Sequence, residues 1–177
     1  CSIAEDVWVS PDGDDYNNTG VTESSAFRTI EVALELIAPE DDDPVTIFLT
    51  EGTFSPSTTG EPFPITMISN VNLIGAGEEV TILDAQQTGR VITMDGCDNN
   101  IISDLTLTGG LAEGDLTTPM QGGGMIVYSS DPKSPELSIS EVLFMIQSTS
   151  GPPDQKLYNS LFCLHGSTNS QNAFGEA

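Results

Sequence analysis

Apolar residues in this chain fall in brief, β-branched clusters parted by Gly, Asn, Asp and Pro. Val7-Trp-Val9 is the first strand-like segment, and it runs into Pro11–Gly20, a loop dense in turn formers. Phe27 to Ala38 differs: Ile30, Ala33, Leu34 and Ile37 recur at helical spacing, Thr29 offers an N-cap and Pro39 a stop. This spacing predicts one short amphipathic helix, near residues 27–38. Strand-sized runs follow at Val45–Thr50, Ile65–Ile68, Val71–Ile74, Val80–Leu83, Val91–Met94, Ile101–Leu107, Gly124–Tyr128 and Leu137–Met145. No second helical pattern separates them, which excludes a layered βαβ sheet, and the runs are too brief for a β-sandwich of long hairpins.

Self-similarity narrows the fold. Ile102-Ser-Asp-Leu-Thr-Leu107 recurs 37 residues later as Ile139-Ser-Glu-Val-Leu-Phe144. Val71-Asn-Leu-Ile-Gly75 resembles Leu105-Thr-Leu-Thr-Gly109 at an offset of 34, and Leu137-Ser-Ile-Ser140 is echoed by Leu157-Tyr-Asn-Ser160 at 20. Coils of roughly 20 to 30 residues, some enlarged by loops, are the mark of a solenoid whose units bury an apolar face only by stacking. The large insertion is Leu111–Gln121. The expectation is an all-β right-handed parallel β-helix, with the helix near 27–38 covering its open N-terminal end. Residues 1–6 are read as a tether, 7–149 as the β-helix domain, and 150–177 as an irregular last coil or truncated tail.

Charge changes the picture next. Among 177 residues, 27 are acidic and four basic (Arg28, Arg90, Lys133 and Lys156), for a net charge of −23. That field disfavours nucleic acid and anionic membrane surfaces as partners. The apolar clusters argue against disorder, so the carboxylates read as a solvated surface that keeps an edge-exposing β protein soluble. No apolar stretch reaches the length of a transmembrane segment. Cys1, Cys97 and Cys163 lack metal-ligand spacing; Cys97 and Cys163 are either a pair formed in an oxidising compartment or buried free thiols. Cys1 is a candidate lipidation site, since cleavage of a bacterial lipoprotein signal leaves Cys at position one; an arbitrary fragment boundary is the alternative. On either reading the protein is expected outside the cell or on its surface.

Val7-Trp-Val-Ser-Pro-Asp-Gly-Asp14, Ala26-Phe-Arg-Thr-Ile-Glu-Val-Ala33 and Ile47-Phe-Leu-Thr-Glu-Gly-Thr-Phe54 together resemble the opening of bacterial pectate-lyase-like β-helix proteins. They are similar to an N-terminal domain of unknown function in that group, and to the start of family-nine polysaccharide lyases. Glu61-Pro-Phe-Pro-Ile65, Val71-Asn-Leu-Ile-Gly75 and Ile82-Leu-Asp84 continue the pattern. Gly122-Gly-Gly-Met-Ile126 with Phe144-Met-Ile-Gln147 looks like the repeats of bacterial polymorphic outer-membrane proteins, with Gln147 where Asn is usual. The resemblance covers about residues 7 to 147. It implies a pectin-lyase-like solenoid and is weak for function, because that fold carries lyases, hydrolases, adhesins and passive stalks.

Such lyases, by resemblance, abstract a proton beside a uronate carboxylate with a Lys or Arg base while a cation offsets the acid. None of the four basic residues has a partner constellation at a recognisable spacing in the sequence, and in family-nine lyases the catalytic coils lie beyond the matching segment, so no catalytic residue is assigned. Arg28 reads as structural, pairing with a neighbouring acid, and Arg90, which precedes a strand, is a candidate to face a groove. Asp12, Asp14, Asp15 and Asn17 share one glycine-containing loop, and their oxygens make calcium the one candidate cofactor. The competing reading is an acidic turn closed by Asx-type hydrogen bonds. Asp95, Asp98 and Asn99 flank a turn near Cys97, with the Asn stacked along a coil corner. Trp8 and Tyr128 are candidates to stack on sugar rings, although a lone Trp in a first strand is more often a core plug. Thr106 and Thr108 form a single Thr-x-Thr pair, too little for an ice-binding array. His165, the only histidine, has no motif partner. The function expected is a non-catalytic exported β-helix, a structural or recognition module in contact with polysaccharide. The alternatives are a polysaccharide lyase with unrecognised catalytic coils and the N-terminal fragment of a larger adhesin-like protein. The oligomeric state is not readable from the sequence.

Overall fold

The protein is described from a computed structural model that covers residues 2–111, 124–128 and 137–145. Cys1, Lys133, Lys156, Cys163, His165 and the Leu157–Ser160 echo lie outside these residues. The ten strands are β1 (Val7–Val9), β2 (Val45–Leu49), β3 (Gly52–Phe54), β4 (Ile65–Thr66), β5 (Val71–Ile74), β6 (Thr81–Asp84), β7 (Ile92–Asp95), β8 (Asn100–Thr108), β9 (Met125–Tyr128) and β10 (Leu137–Met145). All their pairings are parallel.

The strands form three faces of a right-handed parallel β-helix, the fold expected. The first face runs β1, β2, β5 and the first half of β8; the second runs β3, β6 and the second half of β8; the third runs β4, β7 and β9. β10 pairs with β8 along both halves, from Leu137 opposite Asn100 to Met145 opposite Thr108. β8 serves two faces because Asp104 turns the corner in the left-handed region, with φ 59°. Gly75 sits against that corner: a Cβ there would stand 2.0 Å from the Asp104 carbonyl oxygen.

Alternation sets what lies inside. β1 and β2 bury every second residue, as the side-chain period of two requires. Val7, Ile47, Leu73 and Ile102 stack in register through the first face, all with 0 % exposure. Phe54, Leu83 and Leu107 form the corresponding row of the second face, and Ile65, Ile92 and Met125 that of the third. Each fully buried aliphatic contributes about 1.5–3 kcal/mol of transfer free energy, but only because coils above and below complete its enclosure. Val142, in register with Leu105, carries the inward pattern into β10.

The register corrects one part of the repeat reading. The 37-residue offset is real, since Ile102 pairs with Ile139. The 34-residue offset is not a register: β5 meets β8 with Leu73 opposite Ile102, and Leu105 belongs beyond the corner, facing β6's side of the helix. The run Gly52–Phe54 was also not expected as a strand.

The helix α1 spans Ile30–Leu36, inside the predicted 27–38, with Thr29 as its N-cap. It packs against β1 and buries Ile30 and Ala33, while Ile37 just beyond it joins the same core. Ile3, within the stretch expected as a tether, bridges Ile37 in parallel. The corner ahead of the first face is held by a polar stack. Asn70 and Asn99 both adopt positive φ, the Asn99 amide donates to Asn70 Oδ1 (3.0 Å), and the Asn70 amide donates to Asp41 Oδ1 (3.0 Å). The coil-corner role expected for Asn99 is what the structure shows. Replacing Leu73 by Ala, at the centre of the first inward row, is expected to cost about 2–5 kcal/mol. Ile82→Ala, on the half-buried outer side of β6, should cost less; urea unfolding of the two variants checks the order.

Candidate functional site

The side chains with chemical potential converge on the N-terminal end of the solenoid. Loop 10–29 folds back so that Phe27 bridges Val9, and this brings Asp14 and Asp15 under the start of α1. Asp15 Oδ1 accepts the backbone N–H groups of Arg28 (2.7 Å) and Thr29 (3.0 Å), and its Oδ2 accepts the Thr29 hydroxyl (3.0 Å). Thr29 Oγ1 in turn accepts the Val32 N–H at 3.3 Å. The next two amides are taken by Glu61, delivered from the loop after β3: Oε2 accepts from Ile30 (2.7 Å) and Oε1 from Glu31 (3.0 Å). Glu61 and Thr29 therefore satisfy the donors that the helix start leaves open, and Asp15 holds the N-cap Thr29 and the residue before it.

Glu61 has no exposure to solvent. Burial pushes its carboxyl up to about 7, against the lowering by the Ile30 and Glu31 amides, and the nearby Glu31 and Asp15 charges push the same way as burial. Asp14 shifts in the opposite direction. Its carboxylate is held below the usual range by the Asn17 side-chain amide (2.7 Å) and by the N–H groups of Tyr16 and Asn17.

These bonds locate the four calcium candidates. Asp14 and Asn17 bond to each other in an Asx-type turn, Asp15 caps the helix, and the Asp12 N–H meets Ser10 Oγ at 3.4 Å. Among the described residues, no group of three or more His, Cys, Asp or Glu side chains is placed to hold a metal ion. The Arg28 charge helps to lower the neighbouring Asp14 carboxyl, its Nε donates to the Pro11 carbonyl at 3.4 Å, and its backbone N–H bonds Asp15. Arg90 is half-buried ahead of β7, on a different element from Arg28. Cys97 is a buried free thiol donating to the Met67 carbonyl at 3.0 Å, and burial raises its pKa.

Trp8 is not the plug that its position suggested. It faces outward, half-buried, and its ring stacks on Phe48 with centroids 5.0 Å apart. Ile74 follows Phe48 in register, so Trp8, Phe48 and Ile74 make an outward apolar row across three coils. Thr106 and Thr108 are buried, and the Thr106 hydroxyl donates to the Glu78 carbonyl, which removes them from any flat exposed array. Glu61 was missed as a functional group by sequence reasoning; its partners lie 30 and 31 residues away, and no local signal announces them.

Parallel coils, three faces and a capped N-terminal end define a pectin-lyase-like right-handed β-helix. Residues 11–96 match the family described as "Protein of unknown function (DUF1565)", in agreement with the resemblance seen in the opening segment. Among solved structures, pectin methylesterase PemA from Erwinia chrysanthemi is similar with a TM-score of 0.51 and 17% sequence identity, over 84% of this chain and 45% of that one. At that identity the likeness is one of fold, and the chain spans under half the length of the esterase. No curated protein matches the sequence. Asp15→Ala and Thr29→Ala are each expected to lower stability by about 0.5–2 kcal/mol through loss of the cap. Because the two side chains share a hydrogen bond, the double variant should cost less than the sum, as a double-mutant cycle by urea unfolding will show.

Proposed function

We propose that this chain is a non-catalytic module of an exported protein, a rigid β-helical element that displays its outer face to polysaccharide. The observation that carries the proposal is where the polar groups go. Asp15 and Glu61 hold a helix start, Asn70 and Asn99 hold a coil corner, and Thr106 and Asp14 bond to nearby backbone. Among the described residues, these polar side chains are committed to the architecture. A surface location accords with the fold shared with a pectin methylesterase, and no helix among the described residues is long and apolar enough to cross a membrane.

The surface proposed for contact is the outward row Trp8, Phe48 and Ile74. With a net charge of −23, the protein repels polyuronates, so the favoured partners are neutral glycans whose apolar ring faces lie against this row. The single Trp gives a local reporter. Neutral polysaccharides are expected to quench or shift its fluorescence at low ionic strength, with Phe48→Ala weakening the response, and polygalacturonate and alginate are expected to bind less. In parallel, the protein incubated with pectin, polygalacturonate and alginate, with and without calcium, should release neither unsaturated products nor methanol. Release of either that is abolished by Arg90→Ala or Lys133→Ala would establish an enzyme and overturn the proposal.

A further inference from the structure

We propose that Asn17 is a glycosylation site, its side-chain amide the acceptor for an N-linked oligosaccharide on the loop that folds back over the N-terminal end of the solenoid. The site rests on the export proposed above, because such glycans are added to chains that leave the cytoplasm. Asn17-Asn18-Thr19 is an Asn-x-Thr triplet with no proline at its centre. No other asparagine in the sequence has Ser or Thr two positions on.

The structure separates the two asparagines of the triplet. Asn18 is half-buried, and its amide donates inward to the Ala26 carbonyl at 2.8 Å. Asn17 and Thr19 are exposed, so the acceptor nitrogen and the hydroxyl that marks the triplet both lie within reach of a transferase. That hydroxyl spends only a 3.4 Å bond, on Ser25 Oγ. Tyr16, directly before the acceptor, is 96 % exposed and offers an apolar ring to the first sugar.

The turn also keeps its bonds with a sugar attached. In the transfer, Asn17 Nδ2 bonds to the anomeric carbon of an oligosaccharide carried on a lipid diphosphate. The bond from that carbon to the diphosphate oxygen breaks, the lipid diphosphate leaves, and one Nδ2 proton passes to a base of the transferase. Nδ2 carries two hydrogens, and one of them serves Asp14 Oδ2 at 2.7 Å. Replacing the other leaves that bond in place. The Tyr16 and Asn17 bonds to Asp14 Oδ1 come from the backbone and are untouched.

The test mixes the purified chain with membranes holding an oligosaccharyltransferase and with a lipid-diphosphate-linked oligosaccharide. Mass spectrometry should find one oligosaccharide added to the tryptic peptide that ends at Arg28. Asn17→Gln and Thr19→Ala should abolish the addition and Thr19→Ser should retain it, with circular dichroism checking that each variant keeps its fold. No addition to the native chain, or one that persists in Asn17→Gln, overturns the site. In its own cells, the chain recovered outside the cytoplasm should carry a glycan on the same peptide. A bare peptide on the exported chain overturns the site, whereas a chain confined to the cytoplasm overturns the export on which it rests.

Discussion

A single coil of this chain cannot keep its own aliphatic side chains dry. Ile47 is enclosed only because Val7 and Leu73 lie on either side of it, and Leu73 only because Ile102 follows. Enclosure along the axis is thus a property of the stack, and it fails wherever the stack ends. The N-terminal end is where the structure answers this directly. One short helix, seven residues long, lays Ile30 and Ala33 over the first coil, and nearly every polar detail around it serves to keep it there.

That requirement explains how so acidic a chain uses its carboxylates. Few cations are available to neutralise them, but backbone amides at a helix start and in tight turns are donors in need of acceptors. Asp15 and Asp14 meet that need from the loop after β1, and Glu61 from the loop after β3. The cap is consequently a meeting point of the loop after β1, the helix and the loop after β3, three segments that are distant in sequence. Its weak point is the enclosed member, Glu61, where hydrogen bonding favours the anion and burial among like charges opposes it. The faces of the solenoid are quieter. Their outward residues include a stacked Trp–Phe pair and an Ile on successive coils, an apolar strip on a surface otherwise dominated by negative charge.

Much of the fold was legible because inward rows leave a periodic trace. β5 and β10 coincide with apolar runs read from the sequence, and the Ile102 to Ile139 repeat is the true coil register. The errors have physical causes. Gly52–Phe54 offers one inward residue, too few for alternation to register. The false 34-residue offset arose because one apolar run, Ile101–Leu107, bends at Asp104 and serves two faces, so similar residues on its two halves are not equivalent. The cap helix announced itself through spacing and Thr29, whereas Asp15 read as either a calcium ligand or part of an Asx-type turn, and Glu61 as part of a family pattern. Their partners are backbone amides brought near by folding, and backbone amides leave no letter in a sequence. Trp8 misled for the opposite reason: residue type suggested the core, while strand parity placed it outside.

The central claim, that successive segments stack in parallel with Ile47, Leu73 and Ile102 as one continuous inward row, is open to direct measurement by solution NMR. Nuclear Overhauser contacts should link the methyl groups of Ile47 to those of Leu73, and Leu73 to Ile102, with backbone contacts in the parallel pattern between β2, β5 and β8. Close Hα–Hα contacts of the antiparallel kind between those strands, or methyl groups of Leu73 in contact with solvent, would contradict the account.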